Sequence, residues 1–197
     1  MKVRQVITLI GIILFVAFII YEAPRVPEYV PDTMFFIVLA IILFLVYEKL
    51  DLDLASYSLA LLGLLLHNAG AFGWCNISPL PIQWDHITHV VGIAAATLLL
   101  FRSCRRFLTA NKHHNRFLFL VILLASLGIG VIIEFYEFAG YFIVGEGAGG
   151  LGQGEGDIAT ELGDSLWLNT MLDMVYNLLG AFIGLGMGYA LRYHQKR

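Results

Sequence analysis

Apolar residues gather into six runs separated by short polar stretches. Within the runs phenylalanine, leucine and isoleucine follow one another without the alternation of a strand. The runs cover about 3–21, 31–47, 56–72, 84–101, 117–142 and 169–191. Each is close to the roughly 17–25 residues that a helix needs to cross a bilayer, with the second and third at the short limit. The missing alternation argues against a β-barrel. The pattern predicts an all-α, polytopic integral membrane protein. Six transmembrane helices form one bundle, and residues 1–197 make a single membrane-embedded domain. The first run follows Met1-Lys2-Val3-Arg4, which looks like the start of a signal peptide. Its end, Tyr21-Glu22-Ala23-Pro24, is a poor cleavage site, so an uncleaved helix is expected.

Composition agrees with this reading. The chain is 59% hydrophobic and 14% charged, against about 25% charged residues in soluble domains. The net charge of −3 says little as a sum, because its distribution carries the signal. Basic residues orient membrane helices toward the cytoplasm. With both termini cytoplasmic, Lys2, Arg4, Lys49, Arg102, Arg105, Arg106, Lys112, Arg116, Arg192, Lys196 and Arg197 all lie inside, and Arg25 alone lies outside. The stretch 145–168 then falls outside. It is rich in glycine and carries Glu146, Glu155, Asp157, Glu161 and Asp164. Its second part, 157–167, is expected as a short amphipathic helix at the interface, with Trp167 in the aromatic belt. Cys75 and Cys104 fall on opposite faces, which excludes a disulfide between them. The protein is expected in the inner membrane, with the lipid bilayer as its partner and no nucleic acid.

The polar residues inside the apolar runs change the picture from a plain bundle to one with chemistry. Glu134 and Glu137 sit within LASLGIGVIIEFYEFAGYFIV. The other interruptions are His67 with Asn68, Asp85 with His86 and His89, and Asp173 with Asn177. Ionisable residues at membrane depth are costly and mark functional sites by default. Counted from the basic end of each run at about 1.5 Å per residue, Glu134 and Asp173 lie roughly 27–28 Å up, Asp85 about 25 Å, and His67 and His89 about 20 Å. All fall in the outer third of a hydrocarbon core of about 30 Å.

They also share helix faces with small residues. The stripes are Asp173, Asn177, Gly180, Gly184 and Gly188; Ser126, Gly130, Glu134, Glu137 and Tyr141; Asp85, His89, Gly92 and Ala96; and Ser56, Ala60, Gly63 and His67. Small residues let membrane helices approach closely. The expected arrangement is four helices, tight toward the cytoplasm and open above, around an outward-facing His/carboxylate chamber. The first two runs read as lipid-facing padding. A lone histidine or asparagine is an ordinary interhelical hydrogen-bonding group, worth about 0.6 kcal/mol on average. Several carboxylates together are harder to explain as packing, because they repel unless a cation, a metal or a shared proton intervenes.

Several motifs are familiar in this order. They are His67-Asn68-Ala69-Gly70, Asp85-His86-Ile87-Thr88-His89, Phe135-Tyr136-Glu137-Phe138, the glycine-rich run ending in Gly163-Asp164, and Asn169-Thr170-Met171-Leu172-Asp173-Met174. From the third run to the C-terminus the chain resembles the uncharacterised bacterial inner-membrane family typified by YjdF. A looser likeness to VanZ-like proteins rests on Asp85 with His89, the glutamate of the fifth run, and Asp173 with Asn177. The resemblance implies the fold and an inner-membrane location, and it brings no established activity. It carries over to His67, Asp85, His89, Glu137 and Asp173. The family's second glutamate is Gly140 here, and its Trp-Asp-Thr reads Leu168-Asn169-Thr170. Glu134 therefore reads as this chain's own variation, and of the two glutamates it is expected to be the dispensable one.

The chemistry open to such a set is of three kinds. The first is a metal-dependent enzyme acting on a lipid or lipid-linked substrate at the outer leaflet. His67, His89, Glu137 and Asp173 would ligate a divalent metal ion, with Glu134, Glu137 and Asp85 as the catalytic carboxylates and His86, Asn177 and Asp164 in support. No nucleophile motif is present, so a metal-activated water is the simplest nucleophile. The second is a cation- or proton-coupled transporter. It is disfavoured because the polar residues stop in the outer third and no inverted repeat is visible. The third is an envelope-sensing module that uses the acidic loop as a receptor.

Overall fold

The computed structural model describes residues 2–75, 77–109, 111–144 and 166–194. All six runs are helices: α1 Val3–Glu22, α2 Val30–Val46, α3 Leu54–Asn68, α4 Trp84–Cys104, α5 Lys112–Val144 and α6 Leu166–His194. The described residues contain no strand. Six helical segments are long and apolar enough to cross a membrane. With no water in the hydrocarbon, each backbone N–H and C=O must be satisfied within the segment, and a helix does this. At about 1.5 Å per residue, the 33 residues of α5 span roughly 50 Å and overrun the core. Trp167 belongs to the first turn of α6 and is well exposed. The expected interfacial helix at 157–167 otherwise lies outside the described residues, as do Asp164 and the acidic glycine-rich loop.

The helices fall into two groups joined by α4. On one side α1, α2 and α3 pack around Phe15, Ala40, Tyr57 and Leu61. Tyr57 is sealed there, and its hydroxyl reaches Thr8 Oγ1 of α1 at 2.6 Å. On the other side α5 and α6 pack against each other and against α4. The basic end is tied by ion pairs. Arg4 meets Glu48 at 2.9 Å, Arg102 meets Asp53 at 2.7 Å, and Arg105 meets Asp51. Asp53 also caps α3 by accepting from the Ser56 amide at 2.7 Å.

The α4–α6 seam is the closest approach. A Cβ on Gly180 would lie 2.5 Å from the Val90 carbonyl oxygen, and one on Gly184 would lie 2.5 Å from that of Ala94. One on Gly188 would meet the Phe101 ring at 2.6 Å. The glycine stripe of α6 therefore closes its helix onto α4, as small residues do in membranes.

The small residues of α3 and α4 do something else. Ala60, Gly63, Gly92 and Ala96 line a cavity of about 500 Å³ between α2, α3, α4 and α5. Gly63 also brings α3 onto α4, since a Cβ there would lie 3.5 Å from the Gly92 Cα, and the same small residues leave room on the side that faces the cavity. The cavity also corrects the reading of α2 as padding. Asp32, Phe35, Phe36, Leu39, Ile42 and Leu43 form one of its walls.

Candidate functional site

Three helices bring the acidic residues together at the end of the bundle remote from the basic residues. Trp84 opens α4, so Asp85, His86 and His89 occupy its first two turns. His86 and His89 are three residues apart and both point into the α4–α6 seam. There His86 Nδ1 meets Asp173 Oδ1 at 2.9 Å, and His89 Nδ1 meets Asn177 Oδ1 at 3.0 Å. Asp173 and Asn177 are four residues apart on α6, two turns and one turn above Gly180, and both are fully buried. The Asp173 carboxylate is held on both oxygens, because Asn169 Nδ2 donates to Oδ2 at 3.0 Å. The His86 ring stacks on Tyr176, with centroids 4.3 Å apart.

His89 is the hub. An amide oxygen and a carboxylate oxygen only accept, so Nδ1 of His89 and Nδ1 of His86 each carry the hydrogen. The other ring nitrogen of His89, Nε2, faces carboxylates. That atom lies 3.6 Å from Asp85 Oδ1 and 4.0 Å from Asp173 Oδ1. On its other side, Nδ1 lies 3.9 Å from Glu134 Oε1. Gly130 makes this possible. A Cβ there would fall 2.6 Å from Asn177 Nδ2, so a side chain at this position would push the Asn177 amide aside or hold α5, with Glu134, farther from His89.

Two sets of three ligand atoms result, each within 4.8 Å of one another. One is Asp85, His86 and Asp173, and the other is His89, Glu134 and Glu137. His67, expected among the ligands, belongs to neither. It stands on α3 across the cavity, edge-on to Phe36 with centroids 5.1 Å apart. Its Nε2 is buried without a hydrogen-bond partner. Asp173, expected to face the chamber, is sealed in the seam instead, while His89 and Glu137 line the cavity. Of the two glutamates, Glu134 is the more buried and Glu137 is half-buried. The geometry thus sets Glu134 nearer the hub than the sequence suggested.

A second polar cluster went unread. Glu22, Thr33 and Asn68 are buried together at the same end of α1, α2 and α3. Thr33 Oγ1 contacts both Glu22 oxygens at 2.9 and 2.7 Å. Asn68 Nδ2 donates to Glu22 Oε1 at 3.3 Å and also to Thr33. Asp32, one residue before Thr33, lines the main cavity. Glu22 and Asp32 close one run and open the next, where charges ordinarily meet water, and that position hid them. Asn68 and His67 are neighbours in sequence, but about 100° apart around a helix they serve different sites. Asn169 was recoverable from its spacing, four residues before Asp173.

The bundle architecture and its His/carboxylate cluster are those of a multi-pass membrane protein, whose environment is the lipid bilayer. No curated protein and no solved structure matches the chain. A family model described as predicted membrane protein (DUF2238) matches residues 4–195, and the chain belongs to that family.

Proposed function

We propose that this protein is an inner-membrane enzyme. Its array of Asp85, His86, His89, Glu134, Glu137 and Asp173 holds a divalent metal ion, and the metal activates water against a lipid or lipid-linked substrate at the outer leaflet. The observation that carries this reading is the pair of three-ligand sets joined through His89. Four carboxylates close to one another repel, and taking their charge out of water costs several kcal/mol each. A divalent cation relieves both penalties. Imidazole and carboxylate donors suit Zn, Mn or Fe. The hydrogen bonds from His86 to Asp173 and from His89 to Asn177 are of the kind that orients ligating imidazoles. A bound metal lowers the pKa of its water and polarises an ester or phosphoryl oxygen. His67 lines the cavity wall outside the ligand sets and would serve there as a general acid or base. The likeness to the YjdF-typified proteins at Asp85, His89, Glu137 and Asp173 supports the same residues.

The test is metal analysis of the detergent-purified full chain, beside His89→Ala and Glu137→Ala. A stoichiometric transition metal in the parent that is lost in both variants is expected. Metal-free protein that also fails to take up Zn or Mn on titration refutes the reading. Cation-driven uptake into proteoliposomes that Glu134→Gln abolishes moves the same residues to a transport role.

A further inference from the structure

The cavity has the shape of a lipid. Its polar residues, Asp32, His67, Thr88, His89 and Glu137, gather at one end. The rest of its lining is apolar, among it Phe36, Leu43, Ile93 and Leu99. Along α4 the lining runs from Thr88 to Leu99, and eleven residues at about 1.5 Å each make roughly 16 Å. Half of a hydrocarbon core of about 30 Å is roughly 15 Å, the depth of one leaflet.

The cavity also opens sideways. Its walls α2 and α5 approach where Phe35 and Tyr136 stack, with centroids 6.4 Å apart. Below that pair, Ile42 and Ile132 line the cavity and yet remain 46% and 66% exposed. Lining residues that exposed leave the gap between α2 and α5 open to the lipid face. Unlike the Gly63 stripe partner it faces, Gly92 has nothing within 4 Å of where a Cβ would stand. The Gly92 backbone carries the contact with Gly63 of α3, and the open space beside it belongs to the slot.

We infer that the slot admits one acyl chain of an outer-leaflet phospholipid, entering between α2 and α5 with its headgroup at the polar end. The position of the headgroup follows from the lining. Two carboxylates and two histidines, with Thr88, gather at that end, and the wall beyond them is apolar, so the polar and apolar parts of a phospholipid match the two parts of the slot. The inference rests on the proposed function for the lipid's role as substrate, while binding itself stands apart from the metal.

The experiment uses the full chain in proteoliposomes. The probes are phosphatidylethanolamine and phosphatidylglycerol, each carrying a photoactivatable diazirine halfway along one acyl chain. Both lipids are expected to label peptides of α2, α4 and α5. Labelling is expected to be lost in Gly92→Phe and in Ala96→Phe, which fill the slot. It is expected to persist in Gly186→Phe, where α6 has open space outside the cavity. Undiminished labelling of folded Gly92→Phe and Ala96→Phe, or labelling of the parent protein confined to other helices, overturns the inference. Metal content of the same preparations reports separately. Slot labelling without metal removes the enzyme reading and leaves the lipid site, and metal without slot labelling does the reverse.

Discussion

Gly180→Ala tests whether the α4–α6 seam holds the candidate site together. The new methyl carbon would sit 2.5 Å from the Val90 carbonyl oxygen and 3.2 Å from the Ala94 amide nitrogen. Both are backbone atoms on a packed helix, so no side chain can turn aside. Non-bonded heavy atoms settle near 3.5 Å, and the seam must open by about 1 Å to restore that distance. One turn above, the same seam carries the His89–Asn177 contact at 3.0 Å, and two turns above it carries the His86–Asp173 contact at 2.9 Å. An opening of that size takes both beyond hydrogen-bonding range. Overpacking costs about 1–3 kcal/mol, and two interhelical hydrogen bonds add about 0.6 kcal/mol each. The expected destabilisation is therefore about 2–4 kcal/mol. The assay is reversible unfolding of the protein in mixed micelles, with Gly186→Ala as the control. A Cβ at Gly186 meets nothing, so that change is expected to leave stability level or raise it by up to about 1 kcal/mol through helix propensity. If Gly180→Ala unfolds like Gly186→Ala, the seam is not the tight contact described, and the reasoning fails.

Three further outcomes are expected. Thr33→Val removes the hydroxyl that donates to the sealed Glu22 carboxylate and is expected to cost about 1–3 kcal/mol in the same unfolding assay, whereas an unchanged midpoint means that Asn68 satisfies Glu22 without Thr33. Asn177→Leu deprives His89 Nδ1 of its acceptor and is expected to weaken metal affinity about 10–100-fold while every ligand remains. Competition titration against a metal indicator reads this, and an affinity equal to that of the parent removes Asn177 from the site. Neither Cys75 nor Cys104 is in a disulfide. A membrane-impermeant maleimide is expected to reach Cys75 from outside intact cells and Cys104 only after the membrane is opened; labelling of both from one side refutes the assigned orientation.

The predicted helix count is right because each transmembrane run announces itself locally. About 20 apolar residues must satisfy their own backbone, whatever surrounds them. The glycines of α6 were legible for a similar reason, since a stripe of small residues on one face is useful only against a neighbour. The same pattern on α3 and α4 serves two ends, a close approach of Gly63 to Gly92 and open space beside it. Ala60, Gly63, Gly92 and Ala96 line a cavity that a pattern of small residues cannot distinguish from a contact.

The sequence by itself determined the class of protein, the number of crossings, and the ionisable residues that interrupt the apolar runs, though not the buried Glu22 and Asp32 at the run ends. These follow from transfer free energies, which act one residue at a time and need no partner. The tertiary structure decided the grouping. It divided the acidic residues into two sets around His89, moved His67 across a cavity, sealed Asp173 behind α4, and made α2 a wall. It also joined Glu22, Thr33 and Asn68, which stand far apart in sequence on three helices. Depth and helical face fix one coordinate and one angle for each residue. Which helix stands beside which is set by interhelical packing, and that information is shared between segments rather than carried by any one of them.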